Sequence, residues 1–282
     1  MTQYDQLIDR LIDLAIEEDI ATGDVTTNSI IPAHSRAVAE MKMKADGVIS
    51  GLAIAKRVYE KFEKDILWDA KVKDGDRVKK GDIILRIEAS YRCLLLGERL
   101  SLNILQRMSG IATETARYVE ELAGTHTQLL LLDTRKTAPG LRVLDKMAVK
   151  DGGATNHRMG LYDMAMIKDN HIKVAGGITN AVNAVRAHIP AGIKIEVETT
   201  NLAEVREALA MHADIIMLDN MSNAEMAEAV KIIHGQAKTE ASGNMSIPRL
   251  KEVAATGVDF ISVGALTHSV TALDISMNIQ KN

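Results

Sequence analysis

The sequence predicts an α/β protein in which an α+β N-terminal part is followed by a β/α barrel. The main observation is a rhythm in the second half, where short apolar runs end in a polar or glycine residue and a helical segment follows. Four run ends, at Glu198, Asp219, Ser242 and Gly264, are spaced by 21, 23 and 22 residues, or one β/α unit per interval. Several consecutive units of this kind favour a parallel sheet that closes into a barrel.

The first part of the chain has a different pattern. Over residues 37–88, β-like runs alternate with the turn pairs Asp46-Gly47 and Asp74-Gly75 around one helical stretch, "LAIAKRVYEKFEK". This arrangement is typical of a small α+β domain.

For the second half, an open doubly wound sheet is the alternative to a barrel. However, no glycine-rich dinucleotide-binding fingerprint follows a first strand.

Length and composition restrict the class of protein. A chain of 282 residues, 46% of them apolar, is long enough for two domains of ordinary size. No run reaches the roughly 18 apolar residues of a membrane span, and the first residues are acidic and helical, so we predict a cytoplasmic protein without membrane contact. The net charge of -4 and the 3% aromatic content argue against nucleic-acid binding. Cys93 is the only cysteine, and its flank "YRCLLL" predicts a buried thiol.

Local patterns predict the elements that precede the barrel. Apolar residues at helical spacing indicate a helix over residues 3–18, with Thr2 and Asp5 as its N-terminal cap. The stretch "EDIATGDVTT" predicts a structured loop in which Asp and Thr side chains bind backbone donors. Between residues 90 and 123 the helical pattern returns, and we expect Gly97 and Gly110 to interrupt it.

Six apolar runs predict the barrel strands, namely "LLLLDTRK", "MAMIKDNH", "IKIEVETT", "IIMLDN", "KTEASGN" and "FISVGA". The carboxyl ends of such strands carry the chemistry of β/α barrels. Cations come first along the chain, carboxylates follow, and small residues come last. In that order the strand ends present Arg135, Lys136, Lys168, Glu198, Asp219, Ser242, Gly243 and Gly264.

The cationic strand ends predict a site for an anion. Residues 133–173 contain eight Lys or Arg against five Asp, in a chain that is acidic as a whole. A guanidinium beside an ammonium, as at Arg135 and Lys136, suits a carboxylate or a phosphate. The alternative is that these two side chains form surface ion pairs with Asp133 or Asp145.

The later strand ends predict a phosphate site and hydroxyl acceptors. Turns at Gly243 and Gly264 would expose backbone N–H groups at neighbouring strand ends. Glu198 and Asp219 could hold ribose hydroxyls, coordinate Mg²⁺ or act as a base, and Asp219 could instead cap the next helix. The set fits a phosphorylated sugar that meets an acidic co-substrate. A Schiff-base aldolase that uses Lys136 or Lys168 is the alternative from these residues alone.

A series of motifs covers nearly the whole chain, namely "EDIATGDVTT", "GERLSLNILQRMSGIAT", "DTRKTAPGLR", "KDGGATNHRMGLYDMAMIKDNHI", "IEVE", "ADIIMLDN", "EASGN" and "GVDFISVGALTHS". In sequence and in order these motifs resemble those of the quinolinate phosphoribosyltransferase (decarboxylating) family, also called nicotinate-nucleotide pyrophosphorylase (carboxylating). The resemblance implies an N-terminal α+β open-sandwich domain over residues 1–110 and an incomplete β/α barrel over 111–270. It also implies that residues 271–282 pack on the first domain.

The resemblance further implies the reaction and the partners. Phosphoribosyl would pass from 5-phosphoribosyl 1-pyrophosphate to quinolinate with loss of CO₂, giving nicotinate mononucleotide and pyrophosphate in de novo NAD biosynthesis. The enzyme would be a glycosyltransferase and a homodimer in which Arg99 reaches the partner's site. Mg²⁺ would arrive with the pyrophosphate substrate, near Glu198 and Asp219. A related phosphoribosyltransferase that acts on another base is the alternative within this class.

Residue roles carry over motif by motif. Around the two quinolinate carboxylates the resemblance places Arg99, Arg135, His157 and Arg158. It assigns catalysis to Lys136 and Lys168, near the carboxylates and the pyrophosphate, and to Glu198 and Asp219, at the ribose hydroxyls or the Mg²⁺.

Further substrate-binding residues come from the same motifs. Thr134 belongs to the substrate site, and the 5-phosphate would be bound by Ser242, Gly243, Asn244, Gly264 and Ala265, with His268 nearby. Asn244 departs from the family, which usually has a second glycine at this position. His171 is expected to orient the loop that follows Lys168.

Overall fold

A computed structural model of the chain describes residues 2–125 and 129–280. In chain order the elements are α1 (Gln3–Ile20), α2 (Val25–Ile30), β1 (Arg36–Met43), β2 (Gly47–Val48), α3 (Leu52–Phe62), β3 (Leu67–Ala70), β4 (Arg77–Val78), β5 (Ile83–Ser90), α4 (Tyr91–Glu121), β6 (Leu130–Leu132), α5 (Arg142–Asp151), β7 (Ala165–Ile167), α6 (Asp169–Ala175), α7 (Ile178–His188), β8 (Ile195–Thr199), α8 (Leu202–Ala210), β9 (Ile215–Asp219), α9 (Asn223–Ile233), β10 (Lys238–Ser242), α10 (Ile247–Ala254), β11 (Phe260–Ser262), α11 (Ala265–His268) and β12 (Ile275–Gln280). Among the described residues, no helix combines the length and the hydrophobicity that crossing a membrane requires.

The chain divides into two compact units. The first unit comprises Met1–Ala116, Thr137–Gly153 and Ser269–Asn282, and the second comprises Arg117–Lys136 and Ala154–His268. Helix α5 therefore belongs to the first unit, whereas a boundary at residues 110/111 would place it in the barrel. The reason is local: the Arg107 guanidinium donates two hydrogen bonds, of 2.8 and 2.9 Å, to the buried carboxylate of Asp145 on α5.

The first unit is built on a four-stranded antiparallel sheet with the strand order β12-β1-β5-β3. Strand β12 pairs with β1 in a register that places Met277 opposite Met41, so the end of the described chain returns to this sheet. Alternate residues of β1 are buried, as expected for a strand with one covered face. They form one hydrophobic core with Tyr59 of α3 and Leu94 of α4.

Local patterns account for the first helices. Thr2 caps α1 as predicted, since its side-chain oxygen accepts from the Asp5 backbone N–H at 3.1 Å and the Asp5 carboxylate accepts from the Thr2 N–H at 2.9 Å. The loop predicted over "EDIATGDVTT" is shorter than expected, because α2 begins at Val25. Asp24 starts this helix by accepting hydrogen bonds from two backbone N–H groups of its first turn.

The prediction that Gly97 and Gly110 interrupt the helical segment is wrong. Helix α4 is continuous over 31 residues and contains both glycines. A Cβ atom at Gly97 would overlap the ring of Tyr59, and one at Gly110 would overlap the carbonyl oxygen of Thr271. The two glycines therefore permit close packing and do not end the helix. Cys93, on the same helix, is buried as predicted, and burial raises the pKa of its thiol to about 12.

The second unit is an incomplete β/α barrel, as predicted. Its six strands are parallel and have the order β6-β11-β10-β9-β8-β7. The first strand, β6, lies beside the last strand, β11, which is the cyclic order of a barrel and not that of a doubly wound sheet. The sheet stays open between β6 and β7, where a single bridge joins Leu132 to Thr155. Ser242 lies opposite Asp219 in the register of β10 and β9, so the ends of these two strands are level.

Candidate active site

A cavity of about 870 Å³ lies at the carboxyl ends of the barrel strands. All of the predicted site residues except Arg99 line it, namely Thr134, Arg135, Lys136, His157, Arg158, Lys168, Glu198, Asp219, Ser242, Gly243, Asn244, Gly264, Ala265 and His268. Most of them end or follow a strand, whereas His157 and Arg158 lie between α5 and β7 and His268 lies in α11, so the parallel sheet brings residues that are distant in sequence to one edge.

Arg99 lies in the first unit, on α4. There it lines a separate cavity of about 410 Å³, whose walls are mainly apolar and include the acidic residues Glu18 and Asp19. Within a single chain, therefore, the structure does not include Arg99 in the lining of the barrel cavity.

The cationic side of the barrel cavity contains two arginines in unfavourable surroundings. The Nε of Arg135 is buried and has no hydrogen-bond partner among the described residues. Burial, and then the positive charge of Arg135, lower the pKa of Arg158. An anion that bound between these guanidinium groups would supply the missing acceptors and offset the repulsion.

The surface ion pairs that we considered for Arg135 and Lys136 do not form. The Asp145 carboxylate is buried and is taken by Arg107. Asp133 is also buried and accepts a hydrogen bond from the backbone N–H of His157 at 2.8 Å. The ion pairs of the described residues do not include either cation, which leaves both side chains available for a ligand.

His157 lies against two glutamates. Its Nε2 is 3.0 Å from Oε2 of Glu196 and 3.2 Å from Oε2 of Glu240, and both carboxylates are completely buried. Burial alone would lower the pKa of His157, but the hydrogen-bonding and charge contributions of Glu196 and Glu240 outweigh it and raise the pKa to about 10. His157 is therefore a cation at neutral pH.

The same three residues bring possible metal-ligand atoms within 4.8 Å of one another. We interpret the group as an ion-pair cluster, because the charges already balance. The two carboxylates are offset by the His157 imidazolium and by Arg158, whose charge lowers the pKa of Glu196. Burial, and then repulsion by Glu240, nevertheless leave the pKa of Glu196 raised. The cluster therefore keeps His157 protonated at the cavity, with its charge offset by the two glutamates.

Lys168 follows β7, with its Nζ 3.6 Å from Oε2 of Glu198 on the neighbouring strand β8. Burial raises the pKa of Glu198, Lys168 partly reverses this effect, and the charge of Asp219 adds to it. The Lys168 backbone N–H donates to Nδ1 of His171 at 3.0 Å. His171 thus orients the start of α6, as expected for the loop after Lys168.

Asp219 ends β9 and does not cap the next helix. The N-cap of α9 is Ser222, whose hydroxyl accepts from the Glu225 backbone N–H. Instead, the Asp219 carboxylate accepts a hydrogen bond of 2.7 Å from the side-chain amide of Asn220. Asp219 therefore remains at the cavity as an acceptor between the cationic side and the glycine turns.

The turns after β10 and β11 have the backbone donors expected of a phosphate site. The N–H groups of Gly243, Asn244, Gly264 and Ala265 donate to no acceptor within the part of the chain that the structure describes. A Cβ atom at Gly264 would crowd both Lys136 and His268, so a small residue is needed there. Asn244 has the left-handed φ of 50° that a glycine would adopt easily, and Asn tolerates this conformation better than most residues.

Sequence reasoning did not single out Glu196 and Glu240, although a signal was present. Each lies two residues before a predicted strand-end residue, Glu198 and Ser242 respectively. Side chains at i and i−2 of a strand point to the same face, so both glutamates point into the barrel below the cavity. A charged residue at an interior position of a buried strand indicates a paired group.

An incomplete β/α barrel with cations, carboxylates and free amides around one cavity defines a phosphate-binding barrel enzyme that acts on anionic substrates. Two family models match this chain: "Quinolinate phosphoribosyl transferase, N-terminal domain" over residues 24–109 and "Quinolinate phosphoribosyl transferase, C-terminal domain" over residues 111–278. The chain therefore belongs to the quinolinate phosphoribosyltransferase family, whose members are pentosyltransferases.

Individual relatives agree with this assignment. The probable nicotinate-nucleotide pyrophosphorylase (carboxylating) of Synechocystis is 44% identical over 280 residues, covering 98% of this chain and 94% of that protein. Quinolinate phosphoribosyltransferase (decarboxylating) 1b of Nicotiana tabacum is 42% identical over 288 residues, covering 95% and 81%. The crystal structure of NadC from Streptococcus pyogenes superimposes with a TM-score of 0.93 at 40% identity, covering 99% and 98%.

Proposed function

We propose that the barrel cavity transfers phosphoribosyl from 5-phosphoribosyl 1-pyrophosphate to the ring nitrogen of quinolinate and then releases CO₂. The observation that carries the proposal is the presence of three kinds of group around one cavity. Arg135 and Arg158 supply cations, Glu198 and Asp219 supply carboxylates, and unpaired amides lie at Gly243 and Gly264. These groups match a dicarboxylate, a ribose and a phosphate, and membership of the family supports the same reaction.

The cationic side would bind quinolinate. Arg135 and Arg158 would take its carboxylates together with His157, which the glutamates keep protonated. Each charge-assisted hydrogen bond of this kind contributes roughly 1.5 to 3 kcal/mol. Binding would also satisfy the buried Arg135 Nε, so the site favours a dianion over a neutral base.

Transfer requires that pyrophosphate leave the ribose. Glu198 and Asp219 would accept hydrogen bonds from the ribose hydroxyls, and their charge would tolerate an oxocarbenium-like ribose carbon. Lys136 and Lys168 would stabilise the negative charge that develops on the departing pyrophosphate.

Mg²⁺ would enter with the pyrophosphate. Glu198 and Asp219 fit such a cation, because the charge of Asp219 adds to burial in raising the pKa of Glu198, and a cation beside them would relieve that repulsion. Mg²⁺ commonly takes one or two carboxylates together with substrate phosphates. When bound, it would neutralise charge on the leaving group.

Decarboxylation would follow from the product of transfer. Attack by the quinolinate nitrogen creates a pyridinium, which withdraws electrons from the adjacent ring carbon. The carboxylate on that carbon leaves as CO₂, the electron pair of the broken bond stays on the carbon, and a proton then replaces the carboxylate. The cations would favour binding of the dianion, and the positively charged ring nitrogen would stabilise the electron pair left on the adjacent carbon until the proton arrives.

The oligomer and the location belong to the same proposal. We propose a homodimer in which Arg99 of one subunit joins the quinolinate site of the other. The resemblance supports this arrangement. A cytoplasmic location also stays a prediction.

Substrate discrimination tests the function. Purified protein is incubated with phosphoribosyl pyrophosphate, Mg²⁺ and either quinolinate or nicotinate, and nicotinate mononucleotide is measured. We expect product from quinolinate and none from nicotinate, whereas product from nicotinate alone would assign the chain to a transferase for another base. Borohydride reduction in the presence of a carbonyl substrate should not label Lys136 or Lys168, as it would in an aldolase.

A further inference from the structure

Arg249 connects two strand-end turns from outside the cavity. Its Nη1 donates a hydrogen bond of 3.0 Å to the carbonyl of Gly243, in the turn after β10. Its Nη2 donates one of 3.3 Å to the carbonyl of Met221, in the turn after β9. The side chain is half-buried and does not line the cavity.

The location of this cation is unusual for its helix. Arg249 is in the first turn of α10, where the helix dipole disfavours a positive charge. Two hydrogen bonds to carbonyl groups offset that disadvantage. The guanidinium is therefore placed for contact with the turns and not for the stability of the helix itself.

The contact between Arg249 and the Gly243 carbonyl determines the direction of the Asn244 N–H. The C=O and N–H of one trans peptide unit point in opposite directions. Because the Gly243 carbonyl points towards Arg249, the N–H of Asn244 in the same unit points away from Arg249. Gly243 and Asn244 line the cavity, whereas Arg249 does not. The Asn244 N–H donates to no acceptor among the described residues.

The turn is in a conformation that needs support. Gly243 and Asn244 have φ values of 95° and 50°, and Asn220 in the adjacent turn has 53°. Any side chain at Gly243 would overlap the amide of Asn220. From the cavity side, the Asn244 side-chain amide donates to Oδ1 of Asn220 at 3.4 Å. Arg249, which does not line the cavity, supports the same turn through its hydrogen bond to the Gly243 carbonyl.

We propose that Arg249 is a positioning residue of the phosphate site. It fixes the plane of the Gly243–Asn244 peptide so that the Asn244 N–H, together with the amides of Gly264 and Ala265, meets a phosphate group. Through Met221 it also keeps this turn in register with the turn that carries Asp219. The identification of the phosphate as that of phosphoribosyl pyrophosphate rests on the proposed function.

Steady-state kinetics of Arg249 variants test the inference. In Arg249→Met the KM for phosphoribosyl pyrophosphate should rise about tenfold, the loss expected for one hydrogen bond to a charged group, while the KM for quinolinate changes by less than about twofold. Arg249→Lys keeps the charge and can reach one carbonyl, so its KM should lie between those of Arg249→Met and the wild type. Lys251→Ala is the matched control, since it removes a cation from the same helix that is paired with Glu121 at 3.0 Å.

A purely structural role predicts a different pattern. Equal increases in both KM values, or wild-type kinetics in Arg249→Met, would overturn the proposal. Thermal unfolding of each variant checks the fold, and Arg249→Lys provides the test if Arg249→Met does not fold.

Calorimetric titration with inorganic phosphate tests the positioning role of Arg249 independently of the reaction. Phosphate should bind the wild type and Lys251→Ala equally, and Arg249→Met about tenfold more weakly. Equal binding by all three proteins would overturn the positioning role even if the enzyme were active. A wild type that binds phosphate in this pattern but makes no product would instead contradict the proposed function.

Discussion

At the residue scale, the protonation state of His157 depends on its neighbours Glu196 and Glu240. Its pKa would fall on burial if Glu196 and Glu240 were absent, and their charges instead raise it to about 10. The imidazolium is therefore present before a ligand arrives. A site that must hold a dicarboxylate gains from this arrangement, because the substrate need not supply a proton when it binds.

The pKa of His157 can be measured directly. NMR titration of the imidazole signals should show one histidine, absent from the spectrum of His157→Asn, that titrates near pH 10. In Glu240→Gln one of the two charges is removed, so the pKa of His157 should fall towards 6.5. Glu228→Gln, which alters an exposed pair with Lys231, is the control and should leave the titration unchanged. A normal pKa in the wild type would contradict the cluster described above.

The same cluster makes stability depend on pH. Because the pKa of His157 is raised from 6.5 to about 10 on folding, its contribution is complete below pH 6.5 and is lost as the pH rises to about 10. Glu196 acts in the same direction, since its pKa is raised from 4.5 and the unfolded chain releases this proton first. The urea midpoint of the wild type should therefore fall as the pH rises from 6.5 to 10, and it should fall less in Glu240→Gln.

Lys168 is the cation whose removal should affect the chemical step most. Loss of one preorganised charge at the leaving group costs about 2.7 to 4 kcal/mol in the transition state, so Lys168→Ala should reduce kcat roughly 10²- to 10³-fold. Lys173→Ala, which removes an exposed lysine of the helix α6 that follows Lys168, is the matched control and should keep normal turnover. Near-normal turnover of Lys168→Ala would remove Lys168 from the reaction.

Sequence reasoning identified the residues that end strands, because strand ends are marked by a change from apolar to polar residues. Glu196 and Glu240 interrupt this pattern inside the strands, and alternation could have placed them in the barrel interior. The role of Arg249 could not be predicted in this way. Its contacts depend on the backbone conformation of two turns, and Met221 in one of them is 28 residues away in sequence.

At the element scale, the glycines of α4 are positions at which helix propensity alone does not predict the effect of a substitution on stability. Helix propensity predicts that Gly110→Ala stabilises a helix by about 1 kcal/mol. The carbonyl oxygen of Thr271 occupies the space of the added methyl group, so we expect destabilisation of about 1 to 3 kcal/mol instead. Urea unfolding measures the sign. Asn103→Ala, at an exposed position of the same helix, should be neutral or slightly stabilising, and a stabilised Gly110→Ala would contradict the packing account.

Most helices and strands could be predicted from periodicity, since each buries one face. The error at Gly97 and Gly110 arose because their packing partners, Tyr59 and Thr271, are remote in sequence. The early start of α2 has a local cause, since Asp24 can either close a loop or cap a helix.

At the scale of the whole molecule, the spacing of about one β/α unit per interval indicated repeated units. It favoured a sheet that closes, whereas the sheet stays open between β6 and β7. The chain between these two strands contains helix α5, and among the described residues it meets β6 through an isolated bridge at Thr155. The incomplete barrel was therefore predictable from the family resemblance and not from periodicity.

The proposed sharing of sites predicts complementation. Arg99→Ala and Lys168→Ala proteins should each be weakly active, and mixed dimers should contain one site in which both residues are intact. Activity should therefore recover when the two proteins are mixed under conditions of subunit exchange. Mixtures of each variant with itself are the control. No recovery despite proven exchange would argue that Arg99 acts within its own chain or not at all.

The most direct test of the central claim is the stoichiometry of the reaction on labelled quinolinate. With phosphoribosyl pyrophosphate and Mg²⁺, the wild type should release one CO₂, from the carboxylate next to the ring nitrogen, and one pyrophosphate for each nicotinate mononucleotide formed. Arg135→Ala should lose both products together, since the same cavity performs both steps. Pyrophosphate release without CO₂, or unchanged products from Arg135→Ala, would contradict the account.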